Sequence, residues 1–455
     1  MRIPTLRCVM PLALGIVALP SWALAQGDAE GGRPDSLAVE FLEQLVRRDF
    51  DAAVVRFDST MGAVMPPAKL EETWDGLLAQ VGEFREWSTT RQFTQEGFDI
   101  VLVSSAFALA AIDVQVVFDQ DRRIAGLFFR PHQEALPVPD TTVMAPERVV
   151  EREVTIGSGE WALPGTLSFP TAGGPFPGVV LVHGSGPNDR DETIGPNTPF
   201  RDLAWGLSSR GVAVLRYEKR TREYRQRLAT DGTAGFTVKQ ETVDDALSAV
   251  ELLRRTEEID PSRLVVVGHS LGGMLAPRIG RRDPHLAGLV VLAGLARQLE
   301  DVILEQIHYL AGLDSTISES ERARLEQIEQ EVALVVALDW EDSTSSARVL
   351  GAPASYWLDL RGYDPVGVAQ ELSIPMLILQ GGRDYQVTID DFRRWEEGLG
   401  DDPRVTLKVY PQLNHLFMTG EGPSGPAEYE RHGQVADEVI EDIAAWITRL
   451  EPSTP

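Results

Sequence analysis

The chain has 455 residues, 43% of them hydrophobic and 24% charged, which is typical of a globular protein long enough for two domains. Its 69 acidic residues outnumber its 42 basic ones, and the resulting net charge of −27 repels nucleic-acid phosphates and anionic lipids. The composition therefore disfavours nucleic-acid binding and attachment to anionic membranes.

Residues 1–25 have the pattern of a secretory signal peptide. Two arginines precede an apolar run over 9–19, and Ala23 and Ala25 supply a small-x-small cleavage site. The run is too short for a membrane span, and no later stretch is long enough for one. We expect an exported protein, periplasmic or extracellular. The one cysteine, Cys8, leaves with this segment, so disulfides and cysteine chemistry are not expected in the mature chain.

Residues 26–131 are predicted to form a small α+β domain. Apolar residues recur at helical spacing near its start, and a second helix is predicted over 68–81. Beyond it, alternating patterns predict three consecutive strands, at 98–110, 112–118 and 123–129. Helices followed by a meander resemble the cystatin-like or NTF2-like domains that precede some secreted bacterial hydrolases. We find no cluster of catalytic residues here, and packing or dimerisation is favoured over ligand binding.

Residues 132–147 are predicted to be a linker, because prolines at 137, 139 and 146 are separated by few apolar residues. Over 148–455, a hairpin is followed by apolar runs that alternate with helical patterns. The predicted strands lie at 149–156, 161–169, 178–183, 212–217, 264–268, 288–293, 375–380 and 405–410. Strands that are apolar throughout and separated by helices indicate a mostly parallel sheet, here of eight strands, buried on both faces.

The fifth of these strands leads into Gly268-His269-Ser270-Leu271-Gly272. A sharp turn between strand and helix strains the backbone of Ser270, and the two glycines leave room where a Cβ would collide with neighbouring backbone. A bare G-x-S-x-G is a weak signal in a chain with 40 glycines, but the flanking strand and helix supply the context that the motif needs. Ser270 is therefore our candidate nucleophile.

Several motifs of the second domain resemble those of the α/β-hydrolase superfamily. They are His183-Gly184-Ser185-Gly186-Pro187 with Asp189-Arg190-Asp191, the serine turn, Gly381-Gly382-Arg383-Asp384, Asn414-His415, and Tyr356-Trp357-Leu358-Asp359-Leu360. Within that superfamily the chain is most similar to secreted bacterial EstD-type esterases and to serine aminopeptidase-like and dienelactone hydrolase-like groups. The resemblance covers 149–450. It implies an α/β-hydrolase fold and a Ser-His-Asp mechanism, and says far less about the substrate.

A serine hydroxyl needs a base to take its proton, and that base needs a third group to orient it. Among seven histidines, His415 lies after the last strand and before the C-terminal helix, so it emerges at the same sheet edge as Ser270. Asp384 follows an apolar strand and a Gly-Gly turn at that edge. The chain order Ser270, Asp384, His415 is the one that this fold uses. Asp390 and Asp391 are the alternative acids.

An oxyanion needs preorganised donors. The N–H of Leu271 follows the nucleophile and is one candidate, and we assign the second to the N–H of Ser185, where flanking glycines let the backbone approach the substrate. Charged residues cluster nearby: Asp189, Arg190, Asp191, Glu218, Lys219 and Arg220. We interpret them as ion pairs that brace the site, with contact of Arg190 or Arg220 to an anionic substrate group as the alternative.

Residues 295–372 form an insertion, much longer than a simple crossover, in which apolar residues have helical spacing. In this fold, an insertion there covers the serine as a cap. Tyr356, Trp357 and Leu358 are candidate walls of the substrate pocket, and plain core packing of these side chains is equally open.

The sequence predicts a serine esterase that cleaves carboxylic esters, with a small-molecule ester as its partner. A serine aminopeptidase or thioesterase using the same triad is the alternative, and a non-catalytic small-molecule binding protein is a further one. An aminopeptidase needs an anchor for the substrate amine, for which Glu300, Asp301 and Glu305 are candidates. The sequence contains no H-E-x-x-H, phosphate-loop or dinucleotide fingerprint, so neither a metal nor another cofactor is expected. The oligomeric state stays open.

Overall fold

The computed structural model describes residues 33–95, 98–119, 121–131, 148–230, 235–313, 319–345 and 348–453. The predicted signal peptide and linker lie outside these ranges. The chain divides into two compact units, residues 1–134 and 135–455. In the described part, no helix is both long enough and apolar enough to cross a membrane.

The first unit begins with helices and ends with an antiparallel sheet. Its helices are α1 (Pro34–Val46), α2 (Phe50–Val54), α3 (Ser59–Val64) and α4 (Pro67–Val81). Its strands are β1 (Phe84–Gln95), β2 (Phe98–Phe107), β3 (Ala111–Phe118) and β4 (Ile124–Pro131), which pair in chain order as a meander. Trp74 of α4 is buried, and its ring lies 5.9 Å from that of Phe107 on the sheet.

Strand β1 was not predicted, so the meander has four strands instead of three. It is an edge strand that pairs only with β2, and its sequence mixes charged, polar and aromatic residues without the alternation that a half-buried strand shows. Strand β2 also ends earlier than predicted, at Phe107, because residues 108–110 form the turn to β3.

The second unit contains the predicted eight-stranded sheet, in the order β14-β13-β10-β9-β7-β8-β6-β5. The strands are β5 (Val149–Ile156), β6 (Leu163–Pro170), β7 (Phe176–Val182), β8 (Ala213–Tyr217), β9 (Ile259–His269), β10 (Gly288–Leu292), β13 (Met376–Gly381) and β14 (Val405–Tyr410). Strands β7 to β14 of the sheet run parallel, and β5 and β6 are antiparallel. The short hairpin β11 (Arg348–Val349) and β12 (Ala352–Pro353) lies apart from it.

Helices cover both faces of this sheet. The helices of this unit are α5 (Pro199–Ser208), α6 (Arg220–Glu223), α7 (Arg225–Thr230), α8 (Asp245–Arg254), α9 (Leu271–Arg282), α10 (Leu299–Gly312), α11 (Glu319–Ala337), α12 (Ala354–Leu360), α13 (Pro365–Gln370), α14 (Ile389–Leu399), α15 (Pro426–Tyr429) and α16 (Asp437–Arg449). The faces of the sheet are covered by α5 and α16 on one side and by α8, α9 and α14 on the other. Successive residues of β9 pack on opposite sides: Val265 lies in the core with α5 and α16, and Val266 in the core with α8, α9 and α14. A strand buried on both faces reads as a continuous apolar run, which is why the sequence predicted it.

The insertion predicted at 295–372 comprises α10 to α13 and the β11–β12 hairpin. Leu299 and Val302 of α10 and Trp357 of α12 share one buried cluster with Leu271 and Met274, in the first turn of α9. The insertion therefore packs directly beside the turn that carries Ser270, as expected of a cap.

Candidate active site

Ser270 lies between β9 and α9 with φ 53° and ψ −116°, a strained conformation for a residue with a side chain. A Cβ on Gly268 would lie 2.2 Å from the carbonyl oxygen of Gly272, and a Cβ on Gly272 would lie 2.2 Å from that of Val182. Both glycines are therefore required for the helix to approach the sheet. This confirms the sharp turn and the steric role predicted for the two glycines.

The structure brings His415 and Asp384 together. Nδ1 of His415 lies 2.7 Å from Oδ2 of Asp384, and both side chains are buried. The other carboxylate oxygen of Asp384 accepts hydrogen bonds from the N–H groups of Gln386 and Val387, at 2.8 and 3.0 Å. Since an ionised carboxylate only accepts hydrogen bonds, this arrangement places the proton of a neutral His415 on Nδ1 and leaves Nε2 with a free lone pair.

The two alternative acids lie elsewhere. Asp391 is fully buried and accepts hydrogen bonds from the guanidinium of Arg297, at 2.7 Å, and from the N–H of Ala296, at 2.9 Å, so it holds the start of the cap. Asp390 is exposed and pairs with Arg393 at 2.6 Å. Neither carboxylate contacts His415, and the contact belongs to Asp384.

His183 belongs to the network around the site and not to its reactive part. Its Nε2 donates to the carbonyl oxygen of Asp189 at 2.9 Å, and burial lowers the pKa of His183 to about 4. A neutral His183 with its Nε2–H committed to a backbone carbonyl fixes the loop 183–187 that follows β7.

Glu192 and His269 form a buried pair that sequence reasoning missed. Oε2 of Glu192 lies 2.8 Å from Nδ1 of His269, and Nε2 of His269 lies 3.0 Å from the carbonyl oxygen of His415. Both ring nitrogens of His269 thus face acceptors. Burial acts to lower the pKa of His269, but the charge and hydrogen bond of Glu192 outweigh it, and the pKa is raised. For Glu192 burial acts to raise the pKa, and His269 reverses that effect, so the pKa is lowered.

This pair joins three segments around Ser270. Besides His269, Glu192 accepts a 2.6 Å hydrogen bond from the N–H of Gly184 in the loop 183–187. His269 adjoins Ser270 and holds the carbonyl of His415. The sequence did contain one indication of Glu192: it directly follows Asp189-Arg190-Asp191, which is part of the motif that resembles the α/β-hydrolases. Nothing in the sequence, however, indicated its partner 77 positions away.

The loop 183–187 lies against the nucleophile. A Cβ on Gly184 would lie 3.1 Å from Cβ and 3.6 Å from Oγ of Ser270. The next residue, Ser185, is exposed and lines the large cavity described below. Leu271 is the first residue of α9, where the N–H groups have no partner within the helix. The assignment of these two N–H groups as oxyanion donors stays a prediction.

Five of the six charged residues near this loop form the ion pairs expected of them, whereas Asp189 accepts a hydrogen bond from the N–H of Thr193 at 2.9 Å. Arg190 pairs with Glu218 at 2.8 Å, and Asp191 with Arg216 at 2.8 Å. Arg220 pairs with the buried Asp245. Neither Arg190 nor Arg220 lines the large cavity, so the structure favours bracing over contact with a substrate anion.

A cavity of about 810 Å³ extends from Ser185 to the cap. Its walls are mainly apolar and include Phe236, Leu299, Ile303 and Trp357. The three charged residues that line it are Arg225, Glu241 and Arg348. Among the described residues, no group of three or more His, Cys, Asp or Glu side chains is arranged to hold a metal ion.

Two of the three predicted wall residues line this cavity. Tyr356 and Trp357 do so, whereas Leu358 is buried but is not part of the lining. All three belong to α12, in which successive residues are rotated by about 100°, so three consecutive side chains cannot all face one cavity. The role of Leu358 as a pocket wall therefore stays a prediction, and its burial agrees with the core packing that the sequence left equally open.

The acidic residues proposed as amine anchors are not in the lining either. Glu300, Asp301 and Glu305 lie on α10, and Glu305 pairs with Arg297 at 2.5 Å. The carboxylate that does line the cavity is Glu241, which is buried. Its two oxygens already accept hydrogen bonds from Thr221, at 2.6 Å, and from Tyr356, at 2.9 Å.

Residues 179–430 match the model of the alpha/beta hydrolase family, and residues 38–127 match a family described as protein of unknown function, DUF3887. The chain belongs to the alpha/beta hydrolase family, as its fold and the serine turn indicated. Esterase EstD of Thermotoga maritima is 39% identical over 419 residues, which make up 92% of this chain and 96% of that protein.

The solved structures that are similar to this chain are more distant in sequence. Est1E from Butyrivibrio proteoclasticus has a TM-score of 0.40 at 14% identity, and the match covers 65% of this chain and 97% of that one. The acylaminoacyl peptidase of Pyrococcus horikoshii has a TM-score of 0.44 at 14% identity, over 82% of this chain and 57% of that one.

Proposed function

We propose that the protein is an exported serine esterase that cleaves carboxylic esters of small molecules through an acyl-enzyme. The observation that carries this proposal is the buried His415–Asp384 pair, which leaves Nε2 of His415 as a base at the sheet edge where the strained turn presents Ser270. The 39% identity to an esterase along nearly the whole chain supports the reaction class.

The reaction follows from these groups. As Oγ of Ser270 attacks the ester carbonyl carbon, Nε2 of His415 takes its proton, and Asp384 stabilises the imidazolium that forms. The N–H groups of Leu271 and Ser185 bind the developing oxyanion. The bond to the alcohol oxygen then breaks as His415 returns the proton to the leaving group. Water repeats the sequence on the acyl-serine, which releases the acid and restores the serine.

The cavity beside Ser185 is suited to bind an apolar group of the substrate. Its 810 Å³ and its mainly apolar walls suit a medium-length acyl chain or a ring. A peptidase that releases N-terminal residues needs a carboxylate ready to accept a substrate ammonium. Glu241 is the one acidic residue in the described lining. It already accepts hydrogen bonds from Thr221 and Tyr356, and Nζ of Lys219 lies 3.5 Å away and balances its charge, which disfavours that activity.

Kinetics on matched substrates test the proposal. We expect kcat/KM for p-nitrophenyl esters to exceed that for amino-acyl p-nitroanilides by at least about 100-fold, because nothing described in the cavity anchors an amine. Acyl-CoA thioesters with the same acyl chains separate an esterase from a thioesterase. Faster cleavage of anilides or thioesters than of esters would overturn the assignment of substrate class.

Secretion is part of the same proposal and rests on residues 1–25 alone. Expression of the full chain in a Gram-negative host, followed by fractionation and N-terminal sequencing, tests it. We expect a mature N-terminus at Gln26 in the periplasm or medium. An uncleaved cytoplasmic protein would contradict this part of the proposal without affecting the chemistry.

A further inference from the structure

Lys219 is a buried lysine whose surroundings connect it to the site. It is 1% exposed, whereas lysine is almost never fully buried unless it is paired. It follows the end of β8, and its Nζ donates a 2.6 Å hydrogen bond to the carbonyl oxygen of Gly184. The carboxylate of Glu241 lies 3.5 Å from Nζ and supplies the compensating charge.

The carbonyl that Lys219 binds belongs to the peptide group between Gly184 and Ser185, whose N–H is the predicted oxyanion donor. The C=O of Gly184 and the N–H of Ser185 are parts of one planar peptide group, and this peptide is trans. In a trans peptide the C=O and N–H bonds point in opposite directions. Fixing the carbonyl oxygen on Lys219 therefore fixes the direction of the Ser185 N–H, away from Lys219.

Gly184 is also held through its own N–H group. The N–H of Gly184 is bound by Glu192 at 2.6 Å, so buried ionisable groups hold the peptides both before and after Gly184. A Cβ on Gly184 would lie 3.6 Å from Oγ of Ser270, which places this clamped segment beside the nucleophile. No acceptor among the described residues binds the Ser185 N–H.

We propose that Lys219 is a positioning residue that aims the Ser185 N–H at the oxyanion and strengthens it as a donor. A cationic hydrogen bond to the carbonyl oxygen withdraws electron density from the peptide nitrogen, and donors in hydrogen-bond chains of this kind polarise one another. Glu241 keeps Lys219 in place, and Thr221 and Tyr356 in turn hold Glu241. This inference rests on the proposed esterase function and on the assignment of Ser185 as a donor.

The test compares three variants of the full chain. Lys219→Met removes the donor. Lys219→Met combined with Glu241→Gln removes it without leaving a buried carboxylate unpaired. Arg254→Met is the matched control, because Arg254 at the end of α8 also pairs with a buried carboxylate, Asp283 at 2.6 Å, and belongs to none of the ion pairs around the site. We measure kcat and KM on a p-nitrophenyl ester, and inhibition by an alkyl trifluoromethyl ketone and by the alcohol of the same chain length.

We expect both Lys219 variants to lose about 10- to 100-fold in kcat with little change in KM, since removing a whole oxyanion donor costs about 100- to 1000-fold. The trifluoromethyl ketone forms a tetrahedral adduct with an oxyanion, so its affinity should fall in parallel with kcat. The affinity of the alcohol should stay within about threefold of wild type. The folded fraction of Arg254→Met should keep the wild-type kcat and both affinities.

Two results would overturn the inference. One is a kcat within about twofold of wild type in the double variant. If Lys219→Met alone does not fold, the double variant alone decides the test. The other is an equal loss of affinity for ketone and alcohol, which indicates a distorted pocket. Failure of the proposed function is recognised separately: a wild-type chain that neither hydrolyses esters nor labels with a fluorophosphonate refutes the esterase, and the role of Lys219 falls with it.

Discussion

Nε2 of His269 donates a 3.0 Å hydrogen bond to the carbonyl oxygen of His415, so the residue before the nucleophile holds the loop that carries the proposed base. The same imidazole is bound through Nδ1 to Glu192, whose other oxygen holds Gly184. One buried ion pair thus joins the end of β9, which leads into Ser270, to the loop after β7 and the loop after β14. Such a network holds the reacting groups in their relative positions only while each of its members keeps its hydrogen-bond partners.

Glu192→Gln tests the charge of this pair, because glutamine can keep both hydrogen bonds. The pKa of His269 is raised above 6.5, so its stabilisation is present below pH 6.5 and lost as pH rises through the raised value. The pKa of Glu192 is lowered below 4.5, so its stabilisation is present above pH 4.5 and lost as pH falls through the lowered value. The pair therefore stabilises the fold most between pH 4.5 and 6.5.

We expect Glu192→Gln to lower the free energy of unfolding by about 1–3 kcal/mol at pH 5.5, and by less at pH 9, as measured by urea denaturation. Asp390→Asn, which removes an exposed carboxylate paired with Arg393, is the control and should change stability by less than about 0.5 kcal/mol at either pH. An equal loss at both pH values for Glu192→Gln would show that the pair is not ionised.

Asp384→Asn should reduce kcat/KM by about 10⁴-fold. The N–H groups of Gln386 and Val387 require an acceptor at one end of the side chain, so the amide NH₂ of the asparagine faces His415. Nδ1 must then be the acceptor and Nε2 carries the proton, which leaves no base for Ser270. Asp390→Asn serves as the control and should stay within twofold of wild type. The reverse order of the two effects in steady-state assays would refute the assignment of the acid.

Gly272→Ala should prevent folding, because its Cβ would lie 2.2 Å from the backbone oxygen of Val182 and neither the strand nor the helix can move away. Gly312→Ala is the matched control at another helical glycine, where nothing lies within 4 Å of the added Cβ. There, alanine should leave stability unchanged or raise it by up to about 1 kcal/mol. Soluble yield and thermal unfolding of the two variants check this. A stable, active Gly272→Ala would show that the turn is less tight than described.

Residues whose role depends on their neighbours in the chain could be predicted from the sequence. Residues whose role depends on partners far away in the chain could not. The strands were recognisable because both of their faces are buried, and Ser270 because the steric demands of its turn fall on glycines two positions away. Glu192 and Lys219 reach their partners 77 and 35 positions away, and no local pattern encodes those contacts. The edge strand β1 was missed because its sequence mixes charged, polar and aromatic residues without the alternation that a half-buried strand shows. A run of apolar residues does not specify which face of a short helix meets a cavity, so the sequence could not distinguish Leu358 from Tyr356 and Trp357.

The second unit should be active without the first. Apolar clusters on both faces of its sheet are built from residues of that unit, and the proposed nucleophile, base and acid all belong to it. A chain that starts near Ala145, which lies outside the described residues, should keep its turnover of a short p-nitrophenyl ester to within about threefold. A folded but inactive protein, judged by circular dichroism and ester assay, would show that the first unit completes the active site.

The most direct test of the account is intact-protein mass spectrometry of wild type and Ser270→Ala after treatment with a fluorophosphonate, alongside their ester hydrolysis. We expect the wild type to gain the mass of one phosphonyl group and to lose activity in proportion. Ser270→Ala should remain unlabelled and should hydrolyse p-nitrophenyl esters at least about 10⁴-fold more slowly while keeping its thermal stability. Near-wild-type hydrolysis by Ser270→Ala, or labelling of that variant at another residue, would contradict the identification of Ser270 as the nucleophile.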